Sequence, residues 1–178
     1  MDIFNEIGYF DERLTRNQDD DFSFRIIKAG YKILLKANIS VQYNVRASFK
    51  KLYTQYKQYG YWKVFVNKKH KSVTTLRQLF PMLFLMSIFV LPFISFIFPL
   101  AAIVIIFEIT IYSLISFFFS LKSLKSLKHS KFGLNNLLSH MYTCLILHVS
   151  YGHGYIEGIF DFLIINRSPK TNHEKLSR

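Results

Sequence analysis

Several things are scarce in this sequence. A single cysteine, Cys144, excludes a disulfide framework. Seven glycines and four prolines in 178 residues exclude a collagen-like or low-complexity chain. Acid is scarcer than base, with 11 Asp and Glu against 23 Lys and Arg. No acidic residue stands between Asp21 and Glu108. The N-terminus MDIFNEIGYF lacks the basic region and apolar stretch of a signal peptide. No Gly-rich phosphate loop, Ser-His-Asp ordering or zinc-finger spacing is present.

What is abundant is aromatic and basic. There are 19 Phe and 11 Tyr, and the formal net charge is +12. Nine basic residues fall between Arg46 and Arg77: Arg46, Lys50, Lys51, Lys57, Lys63, Lys68, Lys69, Lys71 and Arg77. Such a run suits nucleic acid, an anionic membrane surface or a solvated face. Here it leads directly into an apolar run, which favours the membrane surface over nucleic acid. Phe49, Leu52, Tyr53, Tyr56, Tyr59 or Gly60, and Trp62 alternate with lysines at helical spacing. That pattern predicts an amphipathic helix on a bilayer, its Tyr and Trp at headgroup level. A solvated surface helix is the blander alternative.

From Leu79 to Leu121 the only charged residue is Glu108. As one helix the run would be about 64 Å long, roughly twice the hydrocarbon thickness. It must therefore fold back, and Pro92 and Pro99 offer the break. Two spans are predicted, 79–98 and 100–121, or else a shallow re-entrant hairpin. Arg77 on one side and Lys122, Lys125, Lys128 and Lys131 on the other predict cytoplasmic flanks. Glu108, a carboxylate inside a span, is a candidate functional residue or a paired structural one. Residues 134–165 are apolar but interrupted, and predict one more membrane-embedded or interfacial helix, broken near Gly152 to Gly154. His140, Cys144 and His148 share one helical face there, but no fourth ligand is placed, so core packing is the better reading. The tail from Asn166 is polar and predicts a loose end.

The N-terminal stretch contains RNQDDDFSFRIIKAGYKI, Arg16 to Ile33. Phe22, Ile26 and Ala29 lie on one face of a predicted helix, with Asn17 or Asp19 as cap and Gly30 as stop. YKILL and ISVQY then predict two short strands. Asp19, Asp20 and Asp21 would complement the helix dipole in any helix, so composition alone gives them no chemical role.

The order of features is more specific. EIGYFDERLTRNQDDDFSFRIIKAGYKI, then strands, QYKQYGYWK and a membrane hairpin, resembles the C-terminal half of membrane-bound family 2 glycosyltransferases, most of all the bacterial exopolysaccharide branch. Gly8, Phe10, Asp11 and Glu12 match that family's Gly-Gly-Phe-Asp-Glu type segment. Asp19 stands at the Asp of its Glu-Asp pair, and Asp21 and Arg25 at the acid and arginine of the helix that follows. Lys28 to Ile33 match the helix end, and YGHGYIEG echoes a segment of the final helix. Two departures stand out: Gln18 occupies the position of the paired Glu, and Tyr61 that of the Arg in a Gln-x-x-Arg-Trp motif.

The resemblance implies an inverting enzyme with Asp19 as catalytic base, and Gln18, Asp21, Arg25, Gln58 and Trp62 binding the acceptor or supporting the site. It implies an α+β fold. Residues 1–45 would be the acceptor-side remnant of a GT-A catalytic domain and 46–78 a basic interfacial helix. Residues 79–121 would be the transmembrane hairpin, 122–165 a basic loop and embedded helix, and 166–178 a polar tail. The family's nucleotide-binding half and its Asp-x-Asp site for Mg²⁺ or Mn²⁺ have no counterpart here, so no metal ligand is expected in this chain. The expected function is the C-terminal part of a glycosyltransferase of cell-surface polysaccharide synthesis, inactive alone. The expected partners are membrane lipid, a nucleotide-sugar donor, a lipid-linked or saccharide acceptor and a separately encoded N-terminal half, with no nucleic acid. The expected location is the cell membrane, multi-pass, with the catalytic portion cytoplasmic. The competing expectation is a non-enzymatic membrane adaptor that docks on anionic lipid or a partner subunit.

Overall fold

A computed structural model of the chain describes residues 2–42, 45, 47–73, 75–126, 133–170 and 173. Arg46, Lys128 and Lys131 of the basic stretches, and all of the tail beyond Lys170 except His173, lie outside the described residues. The elements are α1 (Asp2–Ile7), α2 (Gln18–Lys28), α3 (Phe49–His70), a 3₁₀ turn (Leu76–Leu79), α4 (Phe80–Ser95), α5 (Leu100–Ser126), α6 (Leu134–Gly158) and a π-helical turn (Ile159–Ile164).

The centre of the molecule is the pair α3 and α6. Lys57 meets Gly154, Tyr61 meets Gly158 and Lys68 meets Phe162, so the two helices run parallel. They approach closely because glycines stand at the crossing. A Cβ on Gly154 would lie 1.9 Å from the Lys57 carbonyl oxygen, and one on Gly60 would lie 2.1 Å from that of Tyr151. No other residue fits either place. The core packs above this crossing from Leu14, Tyr61, Trp62, Val64, Val66, Tyr155 and Phe162.

The sequence after α6 straps back over the core. Trp62 Nε1 donates to the His173 carbonyl at 3.0 Å, and Tyr61 is stacked on the His173 ring at 3.8 Å between centroids. The Tyr61 hydroxyl donates to Asp161 at 2.9 Å and accepts from the Lys170 amide at 3.1 Å. Asp161 also pairs with Arg167 and Lys170, and Glu157 pairs with Lys57 at 2.8 Å and Lys170 at 2.7 Å. The tail expected to be loose is therefore tied down at Arg167, Lys170 and His173.

α4 and α5 form the expected hairpin, with Pro81 opening α4 and Pro99 in the turn before α5. Leu76–Ser95 and Leu100–Ser126 are each long and apolar enough to cross a membrane. Most of their surface is uncovered by the rest of the described residues. Glu108 accepts a hydrogen bond from Ser87 Oγ at 2.8 Å, which joins the two helices at a polar point.

Four expectations need correction. The α+β fold is overturned: no strand forms among the described residues. Residues 31–42 make only a turn at Lys36 to Ile39, and Leu34, Leu35, Ile39 and Val41 are 71–94% exposed. Branched and aromatic residues suit a sheet, but a strand exists only when paired, and no described segment pairs with these. Tyr43, the last residue of the second predicted strand, lies outside the described residues. Second, Tyr61 and Trp62 do not sit at a headgroup level: both are fully buried in the core, because α6 and the C-terminal strap cover that face of α3. Third, α6 is unbroken through Gly152 and Gly154. These glycines serve close helix contact, Gly152 against Pro81 and Gly154 against Lys57, and packing outweighs their weak helix propensity. Fourth, Asn17 occupies the N-cap position of α2 but its side chain makes no cap bond.

Candidate functional site

Asn17 takes a left-handed conformation, φ 63°, which Asn tolerates better than most residues. Its side-chain amide donates to the Tyr59 carbonyl at 3.3 Å, so the start of α2 is moored to the middle of α3. Arg16 adds a second mooring, donating to Gln58 Oε1 at 3.2 Å with its guanidinium 5.6 Å from the Tyr59 ring centre. Phe4, Phe10 and Phe22 pack ring on ring and hold the preceding segment against the other side of α2.

The three consecutive aspartates then go different ways. Asp21 is fully buried and pairs with Arg25 at 3.1 Å, Lys69 at 2.8 Å and His70 at 2.8 Å. Burial pushes its pKa up, but the hydrogen bonds from Lys69 and His70 and the nearby charges of Lys69 and Arg25 outweigh this and hold it below the usual carboxylate range. Lys69 also reaches Asp11 at 2.7 Å, which ties the loop before α2 to the end of α3. Asp20 is half-exposed and pairs with Lys63 at 2.9 Å. Asp19 is exposed and its carboxylate has no hydrogen bond or ion pair among the described residues.

Asp19 opens onto two clefts. The larger, about 430 Å³, is lined by Asn17, Asp19 and Asp20 from the start of α2, Tyr56, Tyr59 and Lys63 from α3, Thr75, Arg77 and Gln78 around the 3₁₀ turn, and Tyr151 from α6. The smaller, about 320 Å³, is lined by Phe10, Thr15, Arg16, Asn17, Gln18, Asp19 and Tyr59. Asn17, Asp19 and Tyr59 border both. A free carboxylate on a rim of tyrosines, with a positioned arginine on one side and a lysine on the other, is suited to hold a polyhydroxylated ligand and accept a proton from it.

The other residues expected at the site fall in distinct places. Gln18 lines the smaller cleft beside Asp19, and its Nε2 donates to the Leu14 carbonyl at 2.6 Å. Arg25 faces away from the clefts: its guanidinium donates to the carbonyls of Ile7, Gly8 and Tyr9 and orders the turn where Gly8 has φ 80°. Gln58 is buried, holds Arg16, and borders a separate polar cavity with Lys57, Glu157 and His173. Trp62 is fully buried away from both clefts. Sequence reasoning missed Tyr56, Tyr59, Lys63, Arg77, Gln78 and Tyr151 as wall residues. Their signals were present only as fragments: a lysine-tyrosine alternation, the last arginine before the apolar run, and the tyrosine before Gly152.

No group of three or more His, Cys, Asp or Glu among the described residues could hold a metal ion. The described residues do not fit the metal site that the resemblance implies for the whole enzyme. His148 accepts or donates at the Tyr112 hydroxyl, 3.1 Å away, and lies 2.8 Å from the Cys144 carbonyl, so it is used within the bundle.

Comparison with known proteins gives one informative likeness. The chain is 33% identical over 82 residues to the succinoglycan biosynthesis protein ExoA of Rhizobium meliloti (strain 1021). The match covers 46% of this chain and 25% of that protein, so the chain spans about a quarter of the relative it matches. No protein-family model matches the chain, and no solved structure matches it. Over nearly half its length, then, this chain is similar to part of a succinoglycan biosynthesis protein.

Proposed function

We propose that the chain is the acceptor-side, membrane-associated portion of a family 2-like glycosyltransferase of cell-surface polysaccharide biosynthesis, with Asp19 as its general base. The observation that carries the reading is the fate of the aspartate triplet. Asp20 and Asp21 are committed to Lys63 and to Arg25, Lys69 and His70, while Asp19 keeps its carboxylate free on a cleft. The likeness to ExoA, a succinoglycan biosynthesis protein, supports the class of product. The two apolar helices, joined to the cleft through the 3₁₀ turn, support a site held at the bilayer.

In this reading an acceptor hydroxyl donates a hydrogen bond to the Asp19 carboxylate. As the hydroxyl oxygen forms its bond to the anomeric carbon of the donor, its proton passes to Asp19. The bond from that carbon to the nucleoside diphosphate breaks, and the diphosphate leaves with the electron pair. Gln18, beside Asp19, brings a neutral amide where a second carboxylate would add repulsion. Asp21 and Arg25 position α2, and Gln58 positions Arg16; none of these touches the acceptor. The mooring of Asn17 on Tyr59 fixes where the Asp19 carboxylate points, and a base acts only within about 3 Å of its proton.

The donor-binding function belongs to sequence outside this chain in the same reading. The test is transfer by an enzyme that combines this chain with a nucleotide-sugar-binding half. Asp19→Asn should lower transfer by roughly 10²- to 10⁴-fold while donor binding persists. Asp20→Asn should lower it several-fold at most. Equal losses from the two variants would refute the assignment of the base.

A further inference from the structure

Inside the apolar hairpin, Glu108 carries a charge that neither the packing nor the proposed chemistry consumes. A cavity of about 740 Å³ lies where α4 and α5 meet His148 of α6. Its walls are apolar or aromatic apart from Ser87, Glu108, Tyr112 and His148, and no lysine or arginine among the described residues lines it. Glu108 is under-served there. Ser87 has a single hydroxyl hydrogen and two acceptors at 2.8 Å, the Phe84 carbonyl and Glu108 Oε1. Glu108 Oε2 has no partner among the described residues, yet it is not sealed inside the packing. Tyr112 and His148 meet each other at 3.1 Å, and His148 faces the Cys144 carbonyl at 2.8 Å; neither bonds to Glu108.

Depth narrows what can complete this carboxylate. Glu108 lies about 12 Å along α5 from Leu100, and Ser87 about 16 Å from Leu76, the start of the first apolar helix. In a hydrocarbon layer about 30 Å thick, that is near the middle. Phospholipid headgroups stay at the surface, and a carboxylate held this deep is costly without a partner. The cavity volume falls in the range of sites for single small molecules.

We propose that the α4–α5 cavity is a binding site for a membrane-soluble amine, whose protonated nitrogen donates to Glu108 Oε2 while its apolar body lies between the two helices. Charge complementarity selects this ligand. The carboxylate needs a donor and a positive charge, and the described chain supplies no cation to the cavity. The rings add to the match. Phe84 and Tyr112 are stacked 4.6 Å apart between centroids, and Phe107 lines the same space. Aromatic faces attract an ammonium group, most of all where water is excluded. An alcohol of the same shape would give one hydrogen bond without neutralising the charge, and hydrogen bonds between two ionised groups are the stronger kind. An anion would be repelled. The amine of a phospholipid headgroup is held at the surface, too far from Glu108 to reach it.

The site rests on the two apolar helices lying in a bilayer and not on sugar transfer at Asp19, so failure of either reading leaves the other standing. The test uses the full chain in neutral detergent, with retention of dodecylamine, dodecanol and phosphatidylethanolamine followed by native mass spectrometry. The wild type should hold dodecylamine roughly tenfold or more tightly than dodecanol, and phosphatidylethanolamine should not displace it. Glu108→Gln should bring dodecylamine down to the level of dodecanol. Val104→Phe, which fills the cavity and leaves Glu108 in place, should weaken both ligands by several-fold. Thermal unfolding of each variant shows whether the fold is kept. Should Glu108→Gln fail to fold, Val104→Phe decides, and unchanged dodecylamine retention by that variant overturns the cavity as the site. Equal dodecylamine retention by wild type and a folded Glu108→Gln, or equal retention of dodecylamine and dodecanol by the wild type, overturns the carboxylate as the recognising group. Displacement by phosphatidylethanolamine overturns the membrane-soluble ligand and moves the amine to the surface.

Discussion

At the α3–α6 junction, Glu157 is held by Lys57 and Lys170, and Asp161 by Arg167, Lys170 and the Tyr61 hydroxyl; at the start of α2, Asp19 has no such partner among the described residues. Both regions are rich in charge, and both are moored to α3. The junction uses its charges to lock the C-terminal strap over Tyr61 and Trp62. The start of α2 uses Asp20 and Asp21 in the same way and then stops, leaving one carboxylate and, across the same cleft, one guanidinium, that of Arg77, uncommitted among the described residues. The difference teaches where to look for chemistry in an ion-rich molecule: at the charge that the packing does not consume.

The sharpest way to break the junction is Gly154→Ala. Its methyl would fall 1.9 Å from the Lys57 carbonyl, a backbone atom of α3 that cannot rotate aside. The helices must separate, and stability should fall by about 3 kcal/mol, as measured by denaturant or thermal unfolding in detergent. Next in size is Asp21→Asn, which removes the charge on which Arg25, Lys69 and His70 converge. A loss of about 2 kcal/mol is expected by the same measurement, since Lys69 keeps Asp11 as a partner.

Acid should loosen the junction in two stages. Burial lowers the pKa of His173 below 6.5, so the unfolded chain takes up that proton first and stability falls as pH drops below about 6.5. Burial alone would raise Glu157, but Lys170 and Lys57 overcome it and bring its pKa from 4.5 down to about 2. A depressed carboxylate stabilises fully above its unfolded value, so that contribution is present above about pH 4.5 and is lost as pH falls toward 2. A thermal-unfolding series across pH 7 to 3 should show both declines, and Glu157→Gln should lessen the second, to which Asp21 and Asp161 also contribute. The smallest effect is expected from Asp20→Asn. Its pair with Lys63 is half-exposed and screened, and stability should change by less than about 0.5 kcal/mol.

The helices were legible because their signals are local. Phe22, Ile26 and the stop at Gly30 describe α2, although Ala29, expected on the same core-facing stripe, falls past the helix end and is exposed, and the apolar runs on either side of Pro99 describe α4 and α5. The strands were misread because a strand's signal is local but its existence is not. Residues 31–42 carry the right side chains and have no partner edge among the described residues. Trp62 was misplaced for a related reason: lysines around an aromatic suggest a bilayer surface, and only the bond from Trp62 to the His173 carbonyl shows that the ring is roofed by the chain itself. The site was half legible. The resemblance singled out Asp19 from three adjacent aspartates, but nothing local could show that Lys63, 43 residues away, takes Asp20 or that Arg77 and Gln78 reach the same cleft.

In the proposed mechanism the reacting group is the carboxylate that has no structural partner among the described residues. The most direct measurement is therefore the unfolding stability of Asp19→Asn set beside its transfer rate in an enzyme completed with a donor-binding half. Stability should be unchanged within about 0.5 kcal/mol, since Asp19 has no side-chain contact among the described residues to lose, while the transfer rate should fall by roughly 10²-fold or more. A variant that loses stability as Asp21→Asn does, or that keeps its transfer rate, would contradict it.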